Sequence, residues 1–217
     1  MQGRIHRLSS AVAGLLAVGL HADPVINEIL YRPGATYPED TTLEFIEIHN
    51  PDATAADLSG WAITTGVEYV FPSGTVLAAG GYAVVAADPN ALAAATGLKG
   101  VLGPWTSGVT LANNGETITL SMPGGGGGWT TVDTIAYADE GDWAVRTRDA
   151  LGGWSWITQA NGGGCSIERR NPGLRVNSGL NWAVSAVVGG TPGAVNTAVR
   201  SDIAPMISDV KHSPAVP

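Results

Sequence analysis

A chain of 217 residues with a formal net charge of −8 and one cysteine excludes several classes at once. A chain of this size hides about 70% of the surface its unfolded form exposes, so burial alone can hold it, and the lone Cys165 permits no internal disulfide. The acidic balance disfavours a dedicated nucleic-acid binder, whose domains are usually basic, and no run beyond the amino terminus approaches the ~20 apolar residues of a transmembrane helix.

The amino terminus reads as a targeting segment. Arg4, His6 and Arg7 make a positive start, residues 11–20 an apolar run, and Ala22 a small residue ahead of Asp23 and Pro24. That run spans only about half a bilayer core as a helix, so residues 1–22 are expected to be a cleaved signal peptide rather than an anchor. Its removal leaves the remaining chain more acidic still, because Arg4 and Arg7 go with it.

Residues 25–31 (VINEILY) are the first expected strand, followed by a loop with Pro33, Gly34 and Pro38. In residues 43–49 (LEFIEIH), Leu43 and Phe45 point one way and Ile46 and Ile48 the other. Glu44 and Glu47 sit on opposite faces, so one face is expected to be fully buried and the other only in part. Residues 58–64, 67–71 and 82–87 continue the strand pattern, separated by Pro72-Ser73-Gly74 and Gly80-Gly81. Trp61, beside the permissive Gly60, is expected in the inter-sheet core, as is Trp182. One helix interrupts the pattern. Asp88 caps it, Pro89 suits its first position, residues 91–95 are good helix formers and Gly97 ends it. It is expected to connect across one end of the sandwich.

Residues 109–111 and 116–122 flank Asn113-Asn114-Gly115 as an expected hairpin. Residues 124–128 are five glycines leading to a strand over 131–137. No Gly-Lys-Ser/Thr and no helix follows them, so phosphate-cradling mechanics are missing and they read as a hairpin tip. Residues 143–148 and 165–170 are further expected strands. Between them Gly152-Gly153-Trp154-Ser155-Trp156 reads as a turn whose two indoles either cover the open end of the sandwich or stack on a sugar or base. From Thr197 the pattern changes to a linker, and residues 204–210 open an apolar strand without a partner. The expected organisation is a signal peptide at 1–22, one domain at 23–196, and at 197–217 a linker with the first strand of a following domain.

Several short motifs recur in a characteristic order: E-F-I-E-I-x-N at 44–50, D-L-S-G-W at 57–61, F-P-S-G-T-x-L at 71–77 and G-G-Y-x-V-V-A at 80–86. Leu111-Ala112-Asn113-Asn114-Gly115-Glu116, Asn181-Trp182 and the closing Gly190-Thr191-Pro192-Gly193-Ala194-Val195-Asn196 extend the series. The whole resembles the lamin-tail domain family in its bacterial secreted form, over roughly 24–196. The resemblance implies an all-β fold, an immunoglobulin-like antiparallel sandwich. It also implies membership of a multi-domain surface protein, often one with a spore-coat-kinase-like (CotH), nuclease or phosphatase domain. Fold does not supply function, because such sandwiches host many unrelated ones.

Reactive residue types are scarce. With the leader removed, only His49 and His212 remain, and no G-x-S-x-G nucleophile motif or zinc spacing is present. No catalysis and no cofactor are therefore expected. Asp139, Glu140 and Asp142, with Asp133 nearby, are candidate calcium ligands because hard cations take several oxygens from one loop. They lack the D-x-D-x-D-G…E order, and an exposed acidic turn is the reading adopted. Candidate ligand contacts are Trp154, Trp156, Arg169 and Arg170. The leading expectation is a non-catalytic extracellular binding or spacer module at the front of a larger secreted protein. Its partner would be another protein, a polysaccharide or neighbouring domains of the same chain. The rivals are an accessory domain of a secreted enzyme whose catalytic part lies beyond residue 217, and binding of polysaccharide or nucleic acid through the four named residues.

Overall fold

The computed structural model describes residues 23–203 apart from Tyr37 and Ser107. The expected leader and the expected strand at 204–210 lie outside the described residues. Thirteen strands follow in chain order: β1 (Val25–Leu30), β2 (Phe45–His49), β3 (Ala56–Asp57), β4 (Ala62–Thr65), β5 (Tyr69–Val70), β6 (Val76–Leu77), β7 (Tyr82–Ala86), β8 (Thr117–Pro123), β9 (Trp129–Ala136), β10 (Val145–Arg148), β11 (Trp154–Ile157), β12 (Cys165–Arg169) and β13 (Trp182–Val188). Helix α1 (Pro89–Thr96) stands between β7 and β8. One sheet runs β13-β12-β1-β2-β7 and the facing sheet β5-β4-β8-β9; β3-β6 and β10-β11 form two small ribbons. The named strands pair antiparallel throughout, and the fold is an all-β, immunoglobulin-like sandwich.

The core follows from the period of two along the strands, with an irregularity of β1 between Ile26 and Glu28 that turns Ile29 to the same side as Ile26. Ile26, Ile29, Ile46, Ile48 and Ile167 of the first sheet meet Ile63, Ile118, Leu120 and Ile135 of the second, all fully or nearly fully buried. The opposite face of the first sheet is covered as well. Leu92 of α1 packs there on Leu30, Phe45, Val84 and Ala86. This corrects two expectations. The helix lies on the outer sheet face rather than across an end, and Glu44 and Glu47 are both fully buried. The local signals for α1 hold in detail. Asp88 accepts from the amides of Asn90 (2.9 Å) and Ala91 (3.0 Å), and Gly97 is left-handed and returns its N–H to Ala93 O at 2.8 Å.

Other expectations need revision. Residues 109–111 form no strand, so the hairpin expected at 113–115 is absent, whereas the one expected across the glycines is present: β8 pairs with β9, and Gly124 N–H donates to Gly128 O at 2.7 Å. The Asn113-Asn114-Gly115 turn instead closes against Tyr137. A Cβ on Gly115, at φ 108°, would collide with Tyr137 O, and Tyr137 Oη donates to Ala112 O at 2.7 Å. The run 58–64 splits because Ser59 and Gly60 turn, with Trp61 N–H bonded to Leu58 O at 2.9 Å. That turn leaves Trp61 at the rim of the core, only partly buried, whereas Trp182 is 2% exposed. The run 67–71 shortens to β5. Two strands, β11 and β13, lie where only a turn and a closing motif were expected.

Candidate functional site

Hairpin β10–β11 stands apart from both main sheets. Its turn is built by Asp149, whose carboxylate accepts from Leu151 N (2.9 Å) and Gly153 N (2.8 Å). The register then sets Arg146 opposite Trp156 and Arg148 opposite Trp154. Both pairs fall on one face, since residues two apart on a strand share a side. Arg146 Cζ lies 4.6 Å from the Trp154 ring centroid and 5.8 Å from that of Trp156, and Arg148 Cζ lies 4.4 Å from Trp154. The result is a stripe in the order Trp156, Arg146, Trp154, Arg148. Trp154 is 53% and Trp156 42% exposed. Each exposed cation–π contact is worth about 0.5–1 kcal/mol, enough to order the side chains but not to saturate them. Arg146 donates no hydrogen bond among the described residues, whereas Arg148 Nη1 donates to Gly152 O at 2.6 Å.

The other side of this hairpin roofs a cleft. The last strand of the facing sheet, β9, docks on β1, where Asp133 Oδ2 accepts from Ile26 N at 2.9 Å. Strands β12 and β13 therefore extend beyond the second sheet, and the hairpin covers them incompletely. A cleft of about 470 Å³ remains, lined by Trp143, Ile157, Ile167, Arg170, Trp182 and Val184 among others. Trp143 and Trp182 meet at 5.8 Å between ring centroids, and Trp182 Nε1 has no hydrogen-bond partner among the described residues.

The four expected ligand contacts thus part company. Trp154 and Trp156 belong to the exposed stripe; they occupy a strand rather than a turn, and do not cap the sandwich. Arg169 is a structural residue, fully buried. It pairs with Asp133 at 2.5 Å, donates from Nε to Ile26 O at 2.6 Å, and places its guanidinium 5.1 Å from the Trp182 ring centroid. Burial pulls its pKa down and the Asp133 charge opposes that shift. Arg170 is partly buried, donates from Nε to Trp182 O at 2.8 Å, and edges the cleft. The stripe's own cations, Arg146 and Arg148, belong to the later arginine cluster of the sequence but were not among the expected ligand contacts. The available signal was the alternation Arg-Thr-Arg and Trp-Ser-Trp on either side of Asp149–Gly153, which places unlike residues opposite one another.

The candidate calcium ligands are not brought together. Asp139 Oδ2 accepts from Asn161 Nδ2 at 2.7 Å, and Glu140 and Asp142 are exposed. Among the described residues no group of three or more His, Cys, Asp or Glu side chains is gathered to hold a metal ion. His49 stacks on Tyr82 at 4.5 Å, with Nδ1 3.1 Å from Gly81 O, and burial lowers its pKa.

The polar groups that sequence missed are carboxylates inside the fold. Glu28, Glu47 and Glu168 lie fully buried on the outer face of β1, β2 and β12. Glu44 is also buried, and its Oε2 accepts from Leu111 N at 2.9 Å. Burial pushes Glu28 up to about 7 and both Glu44 and Glu47 up to about 8. A glutamate inside an apolar strand run, as in VINEIL and FIEIH, was the signal.

Comparison with known proteins gives one family match. The Lamin Tail Domain model matches residues 20–139, more than half of the chain and all of β1 through β9. The hairpin stripe and strands β12 and β13 follow the matched stretch. No curated protein and no solved structure matches.

Proposed function

The chain belongs to the lamin tail domain family, and on that premise we propose that it is a binding module of a secreted, multi-domain protein, docking an acidic polysaccharide through the stripe on β10–β11. The family is a non-catalytic immunoglobulin-like module. The reading assigns residues 1–22 to a signal peptide, 23–196 to the binding domain and 197–217 to the linker and start of a following domain. The observation that carries it is the exposure of Trp154 and Trp156 with two arginines stacked between and beside them. The other arginine paired with a tryptophan, Arg169, is enclosed by partners. Indole faces accept the C–H surface of sugars, and guanidinium forks match carboxylates.

Affinity electrophoresis through polygalacturonate tests this. The native chain should be retarded, less so with added salt, and both Arg146→Ala/Arg148→Ala and Trp154→Ala/Trp156→Ala should run unretarded. Retardation that survives both pairs would place the contact elsewhere. Equal retardation by single-stranded DNA would turn the reading to nucleic acid, and no retardation by the native chain would end it.

A further inference from the structure

The outer face of β1, β2 and β12 holds Glu28, Glu47 and Glu168 without solvent contact, and residues 190–198 lie over them as a strap. Gly190 permits the approach: at φ 71°, a Cβ there would collide with Glu28 Oε1 and Ser166 Oγ. The strap is held by its own donors. Glu28 Oε1 accepts from Thr191 N at 2.7 Å and also from Ser166 Oγ at 2.5 Å. Glu47 Oε2 accepts from Gly193 N at 2.6 Å. Glu168 Oε2 accepts from Thr197 Oγ1 at 2.7 Å and Ala198 N at 2.8 Å.

Among the described residues no cation faces this layer. Helix α1, β13 and the strap contain no ionisable side chain. From β2 and β7 come His49 and Tyr82, stacked on each other beside Glu47. Arg169 turns to Asp133 on the opposite face, Arg170 is bonded to Trp182 O, and Arg200 is exposed. Three carboxylates thus share a dry site with only neutral donors around them. Like charges so placed disfavour full ionisation.

The proton count at Thr191 says where neutrality falls. Its Oγ1 lies 3.3 Å from Glu28 Oε2 and 3.0 Å from Glu168 Oε1. A hydroxyl has one proton to donate. If it donates to Glu168, the contact to Glu28 is a hydrogen bond only when Glu28 carries a proton on Oε2 and donates it to the hydroxyl oxygen. Each carboxyl has two donors on its other oxygen, Ser166 and Thr191 N on Glu28 Oε1 and Thr197 and Ala198 on Glu168 Oε2, and the shorter contact of the hydroxyl, 3.0 Å against 3.3 Å, marks Glu168 as the acceptor end. We infer that the chain Glu28–Thr191–Glu168 is a proton-dependent lock on the strap, closed while Glu28 is neutral and loosened when it ionises.

The direction of titration agrees. Burial first, and the Glu168 charge with it, lift Glu28 to about 7. A carboxyl raised by folding contributes its full stabilisation below its unfolded value and loses it as pH rises through the folded one. The lock is therefore shut in mild acid and opens through about pH 7, with Glu47, lifted to about 8, following.

Amide hydrogen exchange on the full chain, corrected for intrinsic rates, tests the lock. Between pH 5.5 and 8.5 the protection of Thr191, Gly193 and Ala198 should fall on the order of tenfold or more, while β8 and β9 hold theirs. Glu28→Gln carries an amide N–H where the proton sits, so it should fold and keep the strap closed across the range. Glu168→Gln keeps its carbonyl oxygen on Thr197 and Ala198 and offers Thr191 Oγ1 an N–H, which frees the hydroxyl to donate to ionised Glu28, so the strap should no longer loosen at pH 8.5. Thr191→Val removes the relay and should flatten the profile at the open level. Protection indifferent to pH in the native chain would overturn the lock. So would a Glu28→Gln variant that opens the strap or fails to fold, or a Glu168→Gln variant that behaves as the native chain.

Discussion

Arg169 stands 5.1 Å from the Trp182 ring in the interior, and Arg146 stands 4.6 Å from the Trp154 ring on the hairpin. The pairing is the same and its consequence is opposite. Inside, the guanidinium is desolvated, so every one of its nitrogens must be answered: Ile26 O, Leu174 O and Asp133 do so. Such a residue has nothing left to offer a ligand. On the hairpin, water serves the unpaired donors at no cost, and the same pair remains open to a partner. Residue type suggests chemistry; desolvation decides whether that chemistry is spent on the fold.

The sharpest break of this comparison is Arg169→Ala. It leaves Asp133 buried without its cation and should cost about 3–5 kcal/mol in urea unfolding. Arg169→Met with Asp133→Leu should recover much of the loss, because the pair's burial is costly in itself. An effect under about 1 kcal/mol would mean that Arg169 is solvated. Next comes its ring partner. Trp182→Ala should cost at least about 3 kcal/mol, and Trp61→Ala, at the rim of the core, about half as much. Equal losses by thermal unfolding would place Trp61 in the interior after all.

The interior carboxylates give a third, smaller effect. Burial, with the charges of Glu39 and Glu116 behind it, lifts Glu44 to about 8. Its stabilisation is complete below the usual carboxyl range and is lost as pH rises through about 8, so unfolding free energy should decline from pH 6 to pH 9. Glu44→Gln should reduce that decline by on the order of 1–3 kcal/mol. An unchanged slope would show that Glu44 is ionised in the fold throughout. The exposed pair should matter least to stability: Arg146→Ala changes it by within about 1 kcal/mol, although polysaccharide retardation should fall. The acidic loop closes the series. Adding calcium should leave Tm unchanged, and Asp139→Asn with Asp142→Asn should move it by less than about 2 °C. A calcium-dependent rise that the double variant abolishes would make that loop a site.

Local physics made much of this legible. The first strand, the FIEI strand and the capped helix follow from side-chain alternation, a carboxylate cap and a left-handed glycine, none of which needs a distant partner. The extended, acidic, cysteine-poor character of the chain and its lamin-tail motifs are equally local. What alternation cannot say is what lies over each face. Glu44 and Glu47 mark opposite faces, one of them expected half open to water, yet Leu111, 67 residues away, meets Glu44 and Gly193 of the strap, 146 residues away, meets Glu47, so that burial was invisible in any single window. The same holds for the arginines. Arg169 and Arg170 are neighbours in sequence, but strand β12 turns one to Asp133 and the other to the cleft edge, while Arg146 and Arg148 gain their tryptophans only through the register of β10 on β11. Sequence by itself settled the strands at Val25–Leu30, Phe45–His49 and Tyr82–Ala86 and the capped helix, because those preferences act over a few residues. Tertiary structure alone decided which charges are buried and which are free, because desolvation is set by whatever the rest of the chain lays on top.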